Sequence, residues 1–294
     1  MAFGWLKPEY VYRPRQALSR LARTFVGAPT SEFVQVRLPW GTPIRVRPTE
    51  VRGRGMLDLG VVDLPVIEVL WRLVDEGDVV ADIGANIGAM SAVLAERAGS
   101  KGRVFAFEAH PEVFKELEWN VALWKAAPIH AVNVALSRER GVVSLEVPGD
   151  FKANRGLSRV SDGPSEGSLS VPAKPLDDFF PAEGPVLMKI DVEGHELAVL
   201  QGAARTLAGV RDIVFEEHRP FPTPVTELLA AQGYEIFRIA RTFRGVRLLP
   251  SDSIALRSAW EPTSFLATRD PARSAARFRT KGWRSLARQR RVAD

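Results

Sequence analysis

Polar side chains that could bind a nucleoside stand at the ends of two short apolar runs. Residues 79–82 lead into a turn that contains Gly84, Asn86 and Gly88, and the next apolar run ends at Glu108. A strand, a glycine turn that opens a helix, and a second strand ending on a carboxylate are typical of a nucleoside-binding α/β unit. A carboxylate at this position can accept hydrogen bonds from both hydroxyls of a ribose. The sequence therefore predicts a ligand that carries a ribose.

The turn lacks the features that bind a pyrophosphate. Counted from Gly84, the second and third glycines of a dinucleotide fingerprint are replaced by Asn86 and Ala89, and no Gly-Lys-Ser/Thr follows Gly88. Asp82 would repel a phosphate but suits a ligand with an ammonium and a sulfonium. These features predict S-adenosylmethionine as the cofactor. Asp82 is expected to organise its ammonium or the turn itself.

A second polar cluster follows a later apolar run. In a strand, Lys189, Asp191 and Glu193 would point to one side, and His195 follows them. Methyl transfer requires the protein to align the acceptor oxygen and to remove its proton, and Asp191 and His195 are the candidate bases. In the alternative interpretation Asp191 pairs with Lys189 and Glu193 caps the next helix.

Glu216 and His218 end the next apolar run and could orient the acceptor. Together with Asp191 they could instead form an oxygen-rich site for a divalent cation such as Mg²⁺. Both roles remain open at this point.

Several of these segments together resemble the FkbM-type methyltransferases. The segments are Asp-Ile-Gly-Ala-Asn-Ile-Gly at 82–88, Glu108, Leu-Asp-Asp at 176–178, Lys-Ile-Asp-Val-Glu-Gly-His-Glu at 189–196, Leu-Gln-Gly at 200–202 and Val-Phe-Glu-Glu-His at 214–218. The resemblance covers about residues 60–240, and the block at 191–196 is its most specific part. It implies an S-adenosylmethionine-dependent enzyme that methylates a hydroxyl of a sugar or polyketide.

The resemblance also extends the expected cofactor site. Relatives hold the adenine at the end of the third strand, where Ser137 could reach a ring nitrogen or belong to an ordinary turn. Asp191 is included among the expected cofactor-binding residues as well as among the catalytic ones.

Alternating strand and helix patterns predict an α/β fold of the class I methyltransferase (Rossmann-like) type. We expect a mostly parallel seven-stranded sheet with helices on both faces. The strands are expected at residues 79–82, 103–107, 130–135, 186–191, 212–216, 234–239 and 246–249. Residues 142–147 look like an added strand. Residues 148–175 lack periodicity, and a loop of that length is usually a lid or disordered.

Three regions are expected along the chain. Residues 1–62 form an N-terminal helix and β-hairpin, residues 63–256 form the methyltransferase domain, and residues 257–294 form a basic tail. The tail places cations on one helical face, at Arg273, Arg277, Lys281, Arg284 and Arg288. A solvated tail is expected, with contact to a membrane surface or an acidic partner as the alternative.

Composition excludes several classes of protein. The 294 residues include no cysteine, which removes disulfides, thiolate nucleophiles and cysteine-based metal sites. With 46% hydrophobic and 26% charged residues, the chain is typical of a globular protein. Neither a signal peptide nor a membrane-spanning run is visible, so a cytoplasmic location is expected.

The sequence predicts an S-adenosylmethionine-dependent O-methyltransferase that acts on a hydroxyl of a small molecule, such as a sugar or a glycosylated or polyketide metabolite. One alternative is an RNA methyltransferase that uses the basic tail, although no recognised nucleic-acid motif accompanies it and nucleic acid is not the expected partner. Another is a non-catalytic nucleoside-binding scaffold. The oligomeric state is open, with a homodimer among the alternatives.

Overall fold

The computed structural model describes residues 7–27, 29–147, 155, 158–161, 163, 167–256 and 263–287. The strands are β1 (Val34–Arg37), β2 (Pro43–Val46), β3 (Val79–Ile83), β4 (Arg103–Glu108), β5 (Ile129–Asn133), β6 (Ala135–Leu136), β7 (Gly141–Glu146), β8 (Arg159–Ser161), β9 (Leu169–Lys174), β10 (Leu187–Ile190), β11 (Asp212–Glu216), β12 (Glu235–Thr242), β13 (Gly245–Pro250) and β14 (Ser264–Thr268). The helices are α1 (Pro8–Tyr12), α2 (Pro14–Val26), α3 (Val51–Leu59), α4 (Leu64–Leu73), α5 (Ala89–Ala98), α6 (Pro111–Val121), α7 (Glu196–Gln201), α8 (Pro224–Ala231) and α9 (Pro271–Phe278). None of these described helices is long and apolar enough to cross a membrane.

The large sheet has eight strands in the order β13-β12-β14-β11-β10-β3-β4-β5. Strands β11, β10, β3, β4 and β5 are mutually parallel, whereas β14 and the β12–β13 hairpin pair antiparallel. The α/β class is confirmed, and all seven predicted strands are present. The predicted count of seven is wrong, because β14 is an eighth strand inserted between β11 and β12.

Both faces of the large sheet are covered, as predicted. Alternate residues of β3 pack in different cores: Val80 with the side chains of α4 and α5, and Ala81 and Ile83 with those of α7 and α8. This alternation follows from the two-residue period of a strand. It explains why the parallel strands are mostly apolar.

The N-terminal region contains the predicted helix and hairpin. β1 and β2 pair antiparallel, with Val34 opposite Val46. Proline occupies the first turn of both α1 and α2, where its missing N–H costs nothing. α3 was not predicted, because Arg-Gly-Arg-Gly at 52–55 is a poor helix sequence.

A four-stranded sheet with the order β6-β9-β7-β8 lies beyond β5. The expectation that residues 148–175 form an unstructured loop or lid is therefore wrong for β8 and β9, which pair with β7. Residues 148–154, 156–157, 162 and 164–166 of that segment lie outside the described residues.

The described part of the predicted basic tail is docked on the body. Beyond β14, the Arg72 guanidinium donates to the backbone oxygens of Arg277 and Gly282, both at 2.8 Å. Trp283 is buried in the core. Arg273 and Asp75 form an ion pair at 2.7 Å. The expectation of a solvated tail is thus wrong for residues 263–287. The domain boundary expected at residue 257 separates β14 from the other strands of the large sheet.

Candidate active site

A cleft opens at the carboxyl ends of the parallel strands, where the strand order reverses between β3 and β10. Chain segments that follow β3, β4, β5 and β10 line it, together with parts of the small sheet and of α3. It encloses about 650 Å³, including space open to solvent. Ligands of open α/β sheets bind at such a switch point.

The glycine turn after β3 forms the floor of the cleft. Gly84 has a φ of +75°, and a β-carbon there would meet the Asp191 backbone oxygen at 1.8 Å. Only glycine allows the ends of β3 and β10 to approach so closely. Gly84 and Asn86 both line the cleft. Gly88 does not line it: a β-carbon there would collide with Trp124 and Leu117, so Gly88 allows α5 to pack.

Asp82 lies behind the turn and is fully buried. Its carboxylate accepts a hydrogen bond from the Ser91 hydroxyl at 2.6 Å and lies 3.5 Å from the Lys189 ammonium. Asp82 is not among the residues that line the cleft. Of its two predicted roles, the geometry favours organising the turn over contact with a cofactor ammonium.

Glu108 ends β4 and lines the cleft. Its two carboxylate oxygens accept hydrogen bonds from the backbone N–H groups of Asn86 and His110, each at 2.8 Å. Burial raises the pKa of Glu108, although these two hydrogen bonds oppose the shift. The two hydrogen bonds hold the carboxylate rigidly. Each oxygen keeps a further lone pair, so the carboxylate can still accept a hydrogen bond from a ligand.

Apolar side chains form the wall of the cleft beside Glu108. Val134, Leu136, Leu145 and Val160 line this part. Ser137 does not line it, because its hydroxyl lies 2.9 Å from the His195 Nε2 atom and holds that ring. The expected contact between Ser137 and an adenine nitrogen is therefore not supported, whereas His195 itself lines the cleft.

Lys189 ties the ends of β3 and β10 together. Its ammonium donates to the Gly84 backbone oxygen at 3.1 Å and lies 3.4 Å from the Asp191 carboxylate. Burial would raise the pKa of Asp191, but Lys189 and then Arg52 outweigh it and hold that pKa below its usual value. Asp191 lines the cleft, and its lowered pKa favours the ionised carboxylate.

A second acidic group stands beside Asp191. The Glu216 carboxylate lies 3.1 Å from the His218 Nε2 atom, and Glu193 lies 3.8 Å from the same atom. Burial, with the neighbouring charges of Asp191, Asp63 and Glu193, raises the pKa of Glu216 to about 8. Neither Glu216 nor His218 is among the residues that line the cleft, but His218 is more than half exposed and adjoins Glu193, which does line it.

No three His, Asp or Glu side chains in the described part of the chain are arranged to hold a metal ion. The divalent cation considered for Asp191, Glu216 and His218 therefore has no support from their positions. The cations that approach Asp191 are instead the side chains of Arg52 and Lys189, at 3.8 and 3.4 Å.

Two arginines of the cleft were missed in the sequence. Arg52 lies on α3, 3.8 Å from Asp191, and Arg155 forms ion pairs with Glu50 at 3.1 Å and Glu116 at 2.6 Å. Both line the cleft. Neither arginine belongs to a motif. Each lies more distant in sequence from the parallel strands of the large sheet than the residues that follow those strands, so no local pattern could have identified them.

The fold and the cleft define a class I methyltransferase-type α/β protein. The chain belongs to the FkbM methyltransferase family, since the model of the methyltransferase FkbM domain matches residues 82–236, more than half of the chain.

Individual relatives are more distant. The hexuronic acid methyltransferase AglP of Haloferax volcanii is 34% identical over 169 residues, which span 56% of this chain and 66% of that protein, just under two thirds of its length. An S-adenosylmethionine-dependent O-methyltransferase of Thermotoga maritima is 18% identical, with a TM-score of 0.42 over 85% of this chain and 81% of its own. Fibrillarin of Aeropyrum pernix, bound to S-adenosyl-L-methionine, is 16% identical, with a TM-score of 0.38 over 82% and 85%.

Proposed function

We propose that this protein is an S-adenosylmethionine-dependent O-methyltransferase that methylates a hydroxyl of a sugar or of a sugar-bearing small molecule. The observation that carries the proposal is the position of Glu108 and Asp191 in one cleft, on either side of the Gly84 turn. On one side of this turn, Glu108 would accept hydrogen bonds from a ribose. On the other side, Asp191 would belong to a polar site for the acceptor.

The residues of the cleft fit S-adenosylmethionine. Glu108 would accept hydrogen bonds from the ribose hydroxyls, and the backbone at Gly84 and Asn86 would lie beneath the methionine part. The adenine would lie against the apolar wall at Leu136 and Leu145. When bound, the cofactor supplies a methyl group on a positively charged sulfur, and the carboxylates on the acceptor side suit that charge.

The acceptor assignment is supported by the relative that is named for hexuronic acid methylation. Polar and charged side chains line the acceptor side of the cleft, among them Arg52, Asp191 and Glu193. Such side chains suit the several hydroxyls of a sugar, whereas a purely apolar acceptor would leave them unpaired. An anionic sugar could pair with Arg52.

The chain's own contribution to the reaction is alignment of the acceptor and removal of its proton. Asp191 is held ionised by Lys189 and Arg52, so it is a weak base and is better suited to orient the acceptor hydroxyl. We propose His218 as the proton acceptor, with Glu216 orienting its ring. His195, held by Ser137, would position the acceptor from the other side.

The test has two stages. Calorimetry first measures binding of S-adenosylmethionine to the full chain, and a cofactor with a labelled methyl group is then used with neutral sugars, uronic acids and RNA. Label in an alkali-stable ether of a sugar is the expected result. Alkali-labile label on a uronic acid would indicate a methyl ester, which needs no base, and would overturn the hydroxyl assignment. Label in RNA alone, or binding without any transfer, would overturn the proposal as a whole.

A further inference from the structure

Helix α2 packs on the body with its polar side. The Gln16 amide donates to the Leu57 backbone oxygen at 2.5 Å, and the Arg20 guanidinium donates to the Tyr10 hydroxyl at 2.5 Å. Arg23 also donates to Leu57 and lies 3.3 Å from the Asp58 carboxylate. Surface helices normally turn their apolar side toward the core. In α2 this arrangement is reversed.

The opposite side of α2 is apolar and faces solvent. Its residues recur at helical spacing, and we call them the exposed stripe: Leu18, Leu21, Ala22 and Phe25. Leu18 is 66% exposed, Leu21 45% and Phe25 84%. Single exposed apolar residues are ordinary, but a stripe along one helix face marks a contact surface.

Exposed apolar side chains also occur on neighbouring elements. Val11 and Tyr12 at the end of α1 are exposed. Gly282 lies between α1 and the turn that joins β12 to β13. The Tyr12 hydroxyl is 3.5 Å from the point where a β-carbon on Gly282 would stand, and the Gly282 N–H donates to the Arg244 backbone oxygen at 2.6 Å. The turn between β12 and β13 therefore lies beside α1, and it carries Phe243, also exposed.

The charges around the exposed stripe are positive. Residues 7–27 contain five cations, Lys7, Arg13, Arg15, Arg20 and Arg23, of which Arg20 and Arg23 face the body. Glu9 is the only acid among these residues, and it is buried in an ion pair with Arg241 at 2.8 Å. Arg15 is exposed on the helix beside the stripe, and Arg244 is exposed on the adjoining turn.

We propose that this surface binds an anionic lipid bilayer, with α2 lying in the plane of the interface. An apolar face bordered by cations is the pattern of helices that insert shallowly among anionic headgroups. A second copy of the chain fits less well, because a twofold contact through the stripe would place Arg15 against Arg15 or its neighbouring cations. This membrane contact involves a different element from the basic tail, whose Arg273 and Arg277 are paired with Asp75.

The test is flotation of the full chain with vesicles of phosphatidylcholine, alone or mixed with phosphatidylglycerol. Binding to the mixed vesicles at low salt, and weaker binding at high salt or to the neutral ones, is expected. The double variant Leu18→Gln/Phe25→Gln should lower the partition coefficient roughly tenfold or more, because its apolar contacts with the bilayer are lost. Arg15→Glu should lower it less. Val142→Gln, an equally exposed apolar position on β7, is the matched control and should bind as the wild type does.

Three results would overturn the proposal. The first is no binding of the wild type to either vesicle, and the second is binding that the double variant does not weaken. The third is a dimer, detected by light scattering, that the double variant dissociates, since the stripe would then be covered by a second copy. Circular dichroism checks that the variants are folded, which is expected because both substituted residues are exposed.

Discussion

Gly84 and Asp191 touch through their backbones, so closely that a β-carbon on Gly84 would meet the Asp191 oxygen at 1.8 Å. The Asp191 N–H also donates to the neighbouring Ile83 oxygen at 3.0 Å. The glycine turn and the proposed acceptor site are thereby one rigid unit, and a disturbance of either should reach the other.

Gly84→Ala is expected to reduce both stability and cofactor binding. The added carbon overpacks the contact with Asp191, which costs about 1–3 kcal/mol, and the positive φ adds roughly 1–2 kcal/mol. Gly194→Ala is the matched control: its φ is +95°, but no atom lies within 4 Å of the added carbon. Urea denaturation should show a larger loss for Gly84→Ala, and equal losses would argue against the close contact as the cause.

Glu108→Gln should weaken S-adenosylmethionine binding by about 2–3 kcal/mol, because hydrogen bonds to a charged acceptor are lost or become neutral. Glutamine keeps one acceptor oxygen for the two backbone N–H groups, so the fold should persist. Glu118→Gln, at an exposed position on α6, controls for the change in charge. Calorimetry with an unchanged dissociation constant for Glu108→Gln would remove this residue from the cofactor site.

Glu216 should make stability depend on pH in a defined direction. Its pKa is raised from 4.5 to about 8 in the folded protein, so the folded state binds this proton more tightly than the unfolded state does. Its contribution to stability is present below the lower pKa and is lost as pH rises through the higher one.

The glutamine side chain does not titrate. As the pH rises from the lower to the higher of these two pKa values, the free energy of unfolding of Glu216→Gln should therefore increase relative to that of wild type, by at most a few kcal/mol. Urea denaturation across the same pH range measures the difference. A difference that does not change with pH would contradict the raised pKa.

His218→Ala is expected to lower kcat by roughly 10²–10⁴-fold, the usual effect of losing a general base, while cofactor affinity changes little. Asp191→Asn should also lower kcat. The pH dependence of kcat should differ between the two variants, because Asp191 is assigned to orienting the acceptor and His218 to removing its proton. His130→Ala is the control, since His130 is exposed and stacks on Phe105 away from the cleft residues. Wild-type turnover in His218→Ala would show that another group removes the proton.

Arg72→Met should destabilise the protein by about 3–5 kcal/mol, because it leaves Glu68 as a buried unpaired carboxylate. Arg72 and Glu68 are 2.6 Å apart, and Glu68 also accepts from the Arg284 and Ser285 backbone N–H groups. Arg103→Met, at an exposed position that begins β4, is the control. Denaturation of both variants is compared, and equal midpoints would show that the segment after β14 docks without this pair.

The sequence was informative where the structure depends on neighbouring residues. The turn at Gly84 and the carboxylate of Glu108 follow from a strand, a glycine turn and a second strand, all within a short segment. The seven predicted strands were found for the same reason, since each has its own apolar run and its own boundary.

The remainder depends on contacts between distant segments. β14 is a five-residue strand with only three apolar residues, and its partners, β11 and β12, lie earlier in the chain, so its pairing has no local signal. Asp82 and Ser137 were correctly recognised as polar residues at strand ends, but their side chains bond to Ser91 and His195. Strand alternation alone does not distinguish a residue that faces a cleft from one that supports it.

The position of β14 also affects how the chain can fold as it is synthesised. β11 and β12 are both complete by residue 242, yet β14, which lies between them in the sheet, is not available until residues 264–268 leave the ribosome. Until then each presents an unpaired edge, which is a site for misassociation. The nascent protein should therefore depend on chaperones during the last stage of translation, and a stop codon between β13 and β14 should yield an aggregating product.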